Sequence, residues 1–168
     1  RLNTGTAKKI TQSFAEHNLD ELENIYREKR LLLNFIPSIW PVEGLVTTHH
    51  GWRNDPFTGQ PEFHAALDIS ARTGAPIKAP ADGAVTSLGY NAGYGNTLVV
   101  SHGYGYVTRY AHLHAFNTKL GARVQRGDVL GYVGSTGRST GPHLHYEILV
   151  NNKAQNARNF VLEELRRF

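Results

Sequence analysis

The sequence contains no cysteine, which excludes a disulfide framework and any chemistry based on a thiolate, so a metal site would need histidine and carboxylate ligands. It also contains no methionine, not even at position 1, although translation begins with that residue. We therefore expect a mature or truncated piece whose signal peptide or membrane anchor lies outside this sequence. No stretch approaches the run of about 18 apolar residues that spans a membrane.

The chain also lacks a large excess of either charge. Its 18 Lys and Arg residues outnumber its 14 Asp and Glu residues by four, which gives a net charge of +4. A basic protein favours anionic polymers such as nucleic acid, cell-wall polymer or a lipid surface. The basic residues here form only short clusters, at 27–30 and 166–167, without aromatic residues between them. We therefore predict no nucleic-acid partner.

The N-terminal segment, residues 1–36, has the pattern of a long helix. Residues 6–34 lack glycine and proline, and their apolar residues recur at helical spacing. Pro37 and Pro41 then exclude continuation of the helix. A membrane anchor or a coiled-coil partner outside this chain is a possible attachment for such a segment, although its heptad pattern is poor.

The remainder of the chain predicts a mainly β fold. Short runs of alternating apolar and polar residues are separated by glycine-containing turns, which is typical of an antiparallel sheet or sandwich. We place this domain at residues 37–155 and a short C-terminal helix at 156–168. The predicted strands cover residues 65–70, 84–90, 97–102, 106–112, 129–134 and 143–150.

Two histidine motifs are the main candidates for chemistry. His64 and Asp68 form H-x-x-x-D, and these positions share one face of either a strand or a helix. His143 and His145 share one face of the last predicted strand, together with Glu147. Each motif alone is common, but both in one small, cysteine-free domain indicate a metal site.

The expected metal is zinc, because catalytic zinc sites use three protein ligands and keep a fourth position for water. His64, Asp68 and one histidine of the later pair supply such a set. The other histidine and His112, at the end of its predicted strand, are then free to transfer protons. The residues alone leave open which member of the pair is the ligand.

The chain resembles the lysostaphin/LytM-type zinc metallopeptidases, which cleave peptidoglycan peptides. The resemblance runs from about residue 41 to residue 152 and is carried by GWRNDPFTG, FHAALDIS, APADGAV, GYGNTLVVSHGYGYVTRYAHL and GARVQRGDVLGYVGSTGRSTGPHLHYEI. It implies a β-rich domain with a large antiparallel sheet and a narrow groove. The family often has H-x-G-x-D, whereas Ala66 stands at the central position here, with its methyl group expected on the ligand side.

The resemblance also implies the roles of individual residues: His64, Asp68 and His145 bind zinc, while His112 and His143 line the catalytic water. The sequence has no H-E-x-x-H, the pattern that supplies many zinc proteases with a glutamate base, so the base should be a histidine. Glu147 is either an orienting partner of one histidine or a solvent-facing carboxylate.

These features predict a zinc-dependent endopeptidase of the cell envelope that acts on peptidoglycan cross-links or stem peptides. The alternatives are a non-catalytic wall-binding module or activator of other wall hydrolases, and a zinc peptidase for a protein or small peptide. A D-Ala–diaminopimelate cross-link is favoured over a glycine bridge, because no bridge-targeting segment is evident. The N-terminal helix is expected to be a spacer rather than a regulator of groove access.

Overall fold

The computed structural model of the chain describes residues 4–161, with side chains from residue 18 onward except at residue 30. The chain divides into two compact units, residues 1–34 and 35–168. The first contains helix α1, Thr4–Leu33, which ends in a turn where the Asn34 amide donates to the carbonyl of Leu31. The predicted N-terminal helix is confirmed. Within the described part of the chain, no helix combines the length and the apolarity needed to cross a membrane.

The second unit is built from short strands, as the glycine-separated alternating runs predict. The strands are β1 Leu45–Thr48, β2 Gly51–Asn54, β3 Pro61–His64, β4 Leu67–Ser70, β5 Pro76–Lys78, β6 Gly83–Asn91, β7 Gly95–Gly103, β8 Tyr106–Phe116, β9 Arg123–Val124, β10 Val129–Val133, β11 His143–Val150 and β12 Lys153–Gln155.

The strands form one large antiparallel sheet and one hairpin. The large sheet has ten strands, with the order β1-β4-β11-β8-β7-β6-β9 and with β5, β10 and β12 attached beside this path. The hairpin pairs β2 with β3. The central position of β11, between β4 and β8, is important for the site, because each side of this strand meets a different set of residues.

Strand alternation gives β11 its two faces. Leu144, Tyr146 and Ile148 are completely buried and belong to the apolar core. Burial of each such side chain stabilises the fold by about 1.5–3 kcal/mol. The core thus fixes the rotation of β11 about its own axis, and the intervening residues point to the opposite face of the sheet.

Two local predictions differ from the structure. The predicted strand 65–70 begins only at Leu67, because residues 65 and 66 form a break between β3 and β4. The predicted C-terminal helix is a single 3-10 turn, Ala157–Asn159, capped by the Asn156 side chain, which accepts from the amide of Arg158. A 3-10 turn places residues three apart on one face, and here it packs both Ala157 and Phe160 against the core. Residues 162–168 of that prediction lie outside the described residues.

Candidate metal centre and active site

The pairing of β11 places chemical groups on both sides of its histidine face. On one side His145 lies opposite Asp68 of β4. On the other side Glu147 lies opposite Arg109 of β8. Paired residues project from the same face of a sheet, so the register alone brings one histidine next to a carboxylate and one carboxylate next to a guanidinium.

His64, Asp68 and His145 come together as a buried cluster of possible metal ligands. Their ligand atoms all lie within 4.8 Å of one another. Asp68 Oδ2 is 3.1 Å from His64 Nε2, and Asp68 Oδ1 is 3.1 Å from His145 Nδ1. A tetrahedral zinc ion with bonds of about 2.0–2.1 Å holds its ligand atoms about 3.3–3.4 Å apart, close to these separations.

His64 provides the observation that tests whether this cluster fits a metal. Its Nε2 atom is buried and makes no hydrogen bond, although it lies near the Asp68 carboxylate. A buried nitrogen without a partner destabilises the fold unless something satisfies its lone pair. A cation between His64, Asp68 and His145 does so, and two imidazoles with one carboxylate are a donor set that zinc accepts. These three residues therefore fit a zinc ion.

The two members of the H-x-x-x-D motif do not share a strand, contrary to the prediction. His64 ends β3 in the hairpin, whereas Asp68 belongs to β4 in the large sheet. Ala66 lies in the break between them and is buried, with 1% of its surface exposed. The break turns the chain, so the two ligands meet through a change of strand rather than through strand alternation.

His112 reaches the site through an irregularity that the sequence pattern does not show. Strand alternation groups it with Tyr110, which points into the core. Opposite Thr97 of β7, however, β8 carries two residues, Ala111 and His112, and this bulge is accompanied by a left-handed backbone at His112, with φ of 62°. Bulges re-aim side chains next to active sites. The His112 ring consequently lies 4.7 Å from that of His143, measured between centroids.

Backbone carbonyls determine the tautomers of His112 and His143. The Nδ1 atom of His112 lies 2.8 Å from the carbonyl oxygen of Thr136, and that of His143 lies 2.8 Å from the carbonyl oxygen of Gly141. A carbonyl only accepts, so each Nδ1 carries the hydrogen and each neutral ring keeps its lone pair on Nε2. Nε2 of His143 lies 3.9 Å from Asp68 Oδ1, on the metal-site side. Burial lowers the pKa of His112 to about 4, so its ring is neutral at neutral pH.

Glu147 is buried rather than solvent-facing, with 3% of its surface exposed. Its Oε1 atom is 3.0 Å from Nε2 of His145, and its Oε2 atom accepts from Arg109 at 2.8 Å. Burial by itself raises the pKa of Glu147, but the His145 hydrogen bond and the Arg109 charge together hold it below its usual value. The ring of Tyr94 covers this group, 5.3 Å from His145 and 5.4 Å from the Arg109 guanidinium.

Arg53 is a member of the site that the sequence analysis missed. Its guanidinium is 2.7 Å from Glu62 Oε1 and 3.2 Å from Asp68 Oδ2. Arg53 and Glu62 are a cross-strand pair in the β2–β3 hairpin. The alternation of GWRN and PEFH around the turn residues DPFTGQ is the signal that would have identified this hairpin.

Comparison with known protein families gives one match that covers most of the sheet. The family described as Peptidase family M23 matches residues 62–157. That range is more than half of the chain and contains all five histidine and aspartate positions of the predicted site, His64, Asp68, His112, His143 and His145.

Two curated relatives are similar to about two thirds of the chain. DD-carboxypeptidase/endopeptidase Mpg of Neisseria meningitidis is 44% identical over 111 residues, which cover 66% of this chain and 26% of the relative. Peptidoglycan DD-endopeptidase ShyC of Vibrio cholerae is 44% identical over 112 residues, which cover 67% of this chain and 26% of the relative. The chain thus spans about a quarter of the length of these relatives.

Solved structures share the fold. A zinc-containing peptidase from Vibrio cholerae superimposes with a TM-score of 0.67 at 37% identity, covering 71% of this chain and 38% of that chain. The catalytic domain of lysostaphin from Staphylococcus simulans superimposes with a TM-score of 0.64 at 30% identity, covering 70% of this chain and 91% of that chain. The second match shows that the shared fold corresponds to nearly a whole catalytic domain.

Proposed function

Because the chain belongs to peptidase family M23, we propose that it is a zinc-dependent endopeptidase that hydrolyses peptide bonds in peptidoglycan. The observation that carries the proposal is the buried cluster of His64, Asp68 and His145 with two further histidines beside it. A non-catalytic wall-binding or activating module has no use for a full set of three ligand atoms within 4.8 Å together with proton-transferring groups. The enzyme is therefore favoured over that alternative.

In this proposal His64, Asp68 and His145 hold the zinc ion. When bound, zinc supplies a Lewis acid that polarises the scissile carbonyl and makes a water molecule more acidic. Asp68 contributes one negative charge against the two positive charges of the ion, and Arg53 donates to its Oδ2 atom at 3.2 Å. Glu147 accepts the Nε2 hydrogen of His145, which fixes that ring with Nδ1 directed at the cluster.

His112 and His143 are proposed to handle the protons. Each neutral ring carries its lone pair on Nε2, so each is able to take a proton from the attacking water and return it to the leaving amine. A ring protonated on both nitrogens is instead a hydrogen-bond donor to the developing oxyanion. The structure gives the two rings the same kind of Nδ1 partner, a backbone carbonyl, so the two histidines share these roles in our proposal.

The substrate is proposed to be a D,D-configured cross-link rather than a glycine bridge. Two relatives that are 44% identical carry names of DD-endopeptidases, whereas lysostaphin is similar at 30% identity. Such a substrate places the protein in the cell envelope, on the periplasmic or extracellular side. We keep α1 as a proposed spacer towards an anchor or partner, and the peptidase domain as residues 37–155.

The test of this function is digestion of purified, cross-linked peptidoglycan by the zinc-loaded protein, with the products identified by mass spectrometry. We expect cross-linked dimers to disappear and monomers with free D-Ala and diaminopimelate ends to appear. Treatment with a chelator should stop the reaction, and added zinc should restore it. Unchanged muropeptides from a protein that retains its zinc would refute the proposed function.

Glu147→Gln is expected to weaken zinc binding by about 10–100-fold, because a neutral amide is a poorer acceptor for the His145 Nε2 hydrogen. The variant keeps the size of the side chain. The measurement is competition for zinc with a coloured chelator, accompanied by the melting temperature of the metal-free protein. Equal zinc affinity in wild type and variant would show that Glu147 serves only to pair with Arg109.

A further inference from the structure

One loop supplies both carbonyls that set the tautomers of the proton-handling histidines. Residues 134–142, here called the tautomer loop, connect β10 to β11. The carbonyl oxygen of Thr136 accepts from His112, and that of Gly141 accepts from His143, both at 2.8 Å. The position of this loop therefore decides where the lone pairs of both rings point.

The two halves of the tautomer loop are anchored differently. Thr136 is held by its own hydroxyl group, which donates to the Leu113 carbonyl at 2.9 Å and accepts from the Asn96 amide at 2.9 Å. Next to it, Gly137 packs so closely on Gly95 that an added Cβ atom would lie 2.3 Å from the Gly95 nitrogen. The first half is thus fixed to the large sheet by backbone and hydroxyl contacts.

The second half, which carries Gly141, has a long-range ionic anchor. Arg138 Nη2 lies 2.7 Å from both carboxylate oxygens of Asp55, a residue 83 positions earlier in the β2–β3 turn. The Arg138 guanidinium also stacks over the ring of Phe57, 4.3 Å from its centroid. Between Arg138 and His143 the loop's own support is centred on the Ser139 hydroxyl, which donates to the Gly141 carbonyl at 2.8 Å and accepts from the Ser135 hydroxyl at 3.0 Å. The same oxygen lies 3.3 Å from His143 Nδ1.

Asp55 is a fixed rather than an adaptable partner. Only 7% of its surface is exposed, and its Oδ1 atom accepts from the amides of Phe57 and Thr58 at 2.8 Å each. The Arg138 guanidinium, followed by these amides, holds the pKa of the Asp55 carboxyl well below its usual range. The carboxylate is therefore charged and immobilised at the place where Arg138 meets it.

We propose that Asp55 and Arg138 are positioning residues, which hold the Gly141 carbonyl against His143 Nδ1 and so keep the His143 lone pair on Nε2, facing the metal site. The effect on catalysis rests on the proposed function, but the effect on the tautomer does not. His112 depends on Thr136, whose anchors do not include this ion pair. Without the pair, the second half of the loop keeps the bond from the Arg138 amide to the Gly93 carbonyl, at 3.0 Å, and the Ser139 contacts. Loss of the pair therefore loosens the Gly141 carbonyl against His143 and leaves His112 fixed. A ring released from its carbonyl populates both neutral tautomers.

The test uses the zinc-loaded full chain and the variants Arg138→Gln, Asp55→Asn and the double variant. Long-range ¹H–¹⁵N spectra of the histidine rings report the tautomer, with His112 as the internal reference. In either single variant we expect the His143 ring nitrogens to shift toward averaged values, while those of His112 and the zinc content stay unchanged. The matched control is Arg123→Gln, the same chemical change at an exposed position on the edge strand β9.

Activity is the second readout, and it separates this proposal from the proposed function. We expect kcat to fall about 10-fold in each single variant with KM nearly unchanged, and the double variant to be no worse than the singles. A wild-type tautomer at His143 in both single variants would overturn the positioning role, whatever their activity. A shifted His143 tautomer with a wild-type protein that cleaves no peptidoglycan would instead retain the positioning role and reject the proposed function.

Discussion

A His145→Ala protein is expected to lose zinc on dialysis against metal-free buffer and to release no more muropeptides than chelator-treated wild-type protein. His145 lies opposite Asp68 in the sheet, with its Nδ1 atom 3.1 Å from the carboxylate. Its removal leaves two protein ligands, one fewer than catalytic zinc sites use. The measurements are the zinc content of the dialysed protein and mass spectrometry of digested, cross-linked peptidoglycan.

A second variant, Asp68→Asn, and a set of melting curves distinguish loss of the metal from loss of the fold. Asp68→Asn keeps the shape of its side chain but removes the charge that offsets the ion, so it should lose zinc as His145→Ala does. Melting curves of both variants are compared with zinc-free wild-type protein, because both the His145 and the Asp68 side chains are buried. If His145→Ala and the wild type leave the same muropeptides, the assignment of this cluster as the catalytic centre is wrong.

The part of the site that lies on β11 is predictable because its determinants are local. Alternation of His143, His145 and Glu147 with fully buried Leu144 and Tyr146 is a property of eight consecutive residues, and the apolar face decides the rotation of the strand. The same reasoning predicts which residues reach the site face without knowledge of the neighbouring strands. It does not predict what each of them contacts.

The orientation of His112 is not predictable in this way, because it depends on a count of residues across two strands. Only the pairing of β8 with β7 shows that two residues stand opposite Thr97. This bulge explains the left-handed backbone at His112. Period-two alternation, applied to β8 alone, places this imidazole in the core beside Tyr110. The sequence analysis assigned His112 a role in proton transfer, but alternation along β8 does not supply the orientation that this role requires.

The charged partners are hidden from the sequence for a related reason. Arg109 lies 38 positions from Glu147, and Arg53 lies 15 positions from Asp68, so each contact follows from strand register rather than from spacing. A buried glutamate on the site face of a strand is, however, expected to have a positively charged partner, because an unpaired buried carboxylate is strongly destabilising. That physical requirement predicts that Glu147 has a partner even where it leaves the identity of the partner open.

His143→Ala and His112→Ala are each expected to lower kcat by about 10²–10⁴-fold while the zinc content stays at the wild-type level. Both rings offer Nε2 to the site, and neither belongs to the cluster of three ligand atoms. The assay is steady-state hydrolysis of a cross-linked muropeptide by protein whose zinc content has been measured. His114→Ala, an exposed histidine two positions from His112 on the same strand, is the matched control and should behave as wild type.

The variant that carries both His112→Ala and His143→Ala distinguishes two catalytic arrangements of these histidines. If both rings serve one proton-transfer pathway, the double variant falls no further than the weaker single variant, because groups that act as a unit are not additive. If one ring accepts the proton and the other independently donates to the oxyanion, the two losses multiply. Loss of zinc from either single variant would show that the ring is a ligand, and wild-type kcat in both would reject histidine as the base.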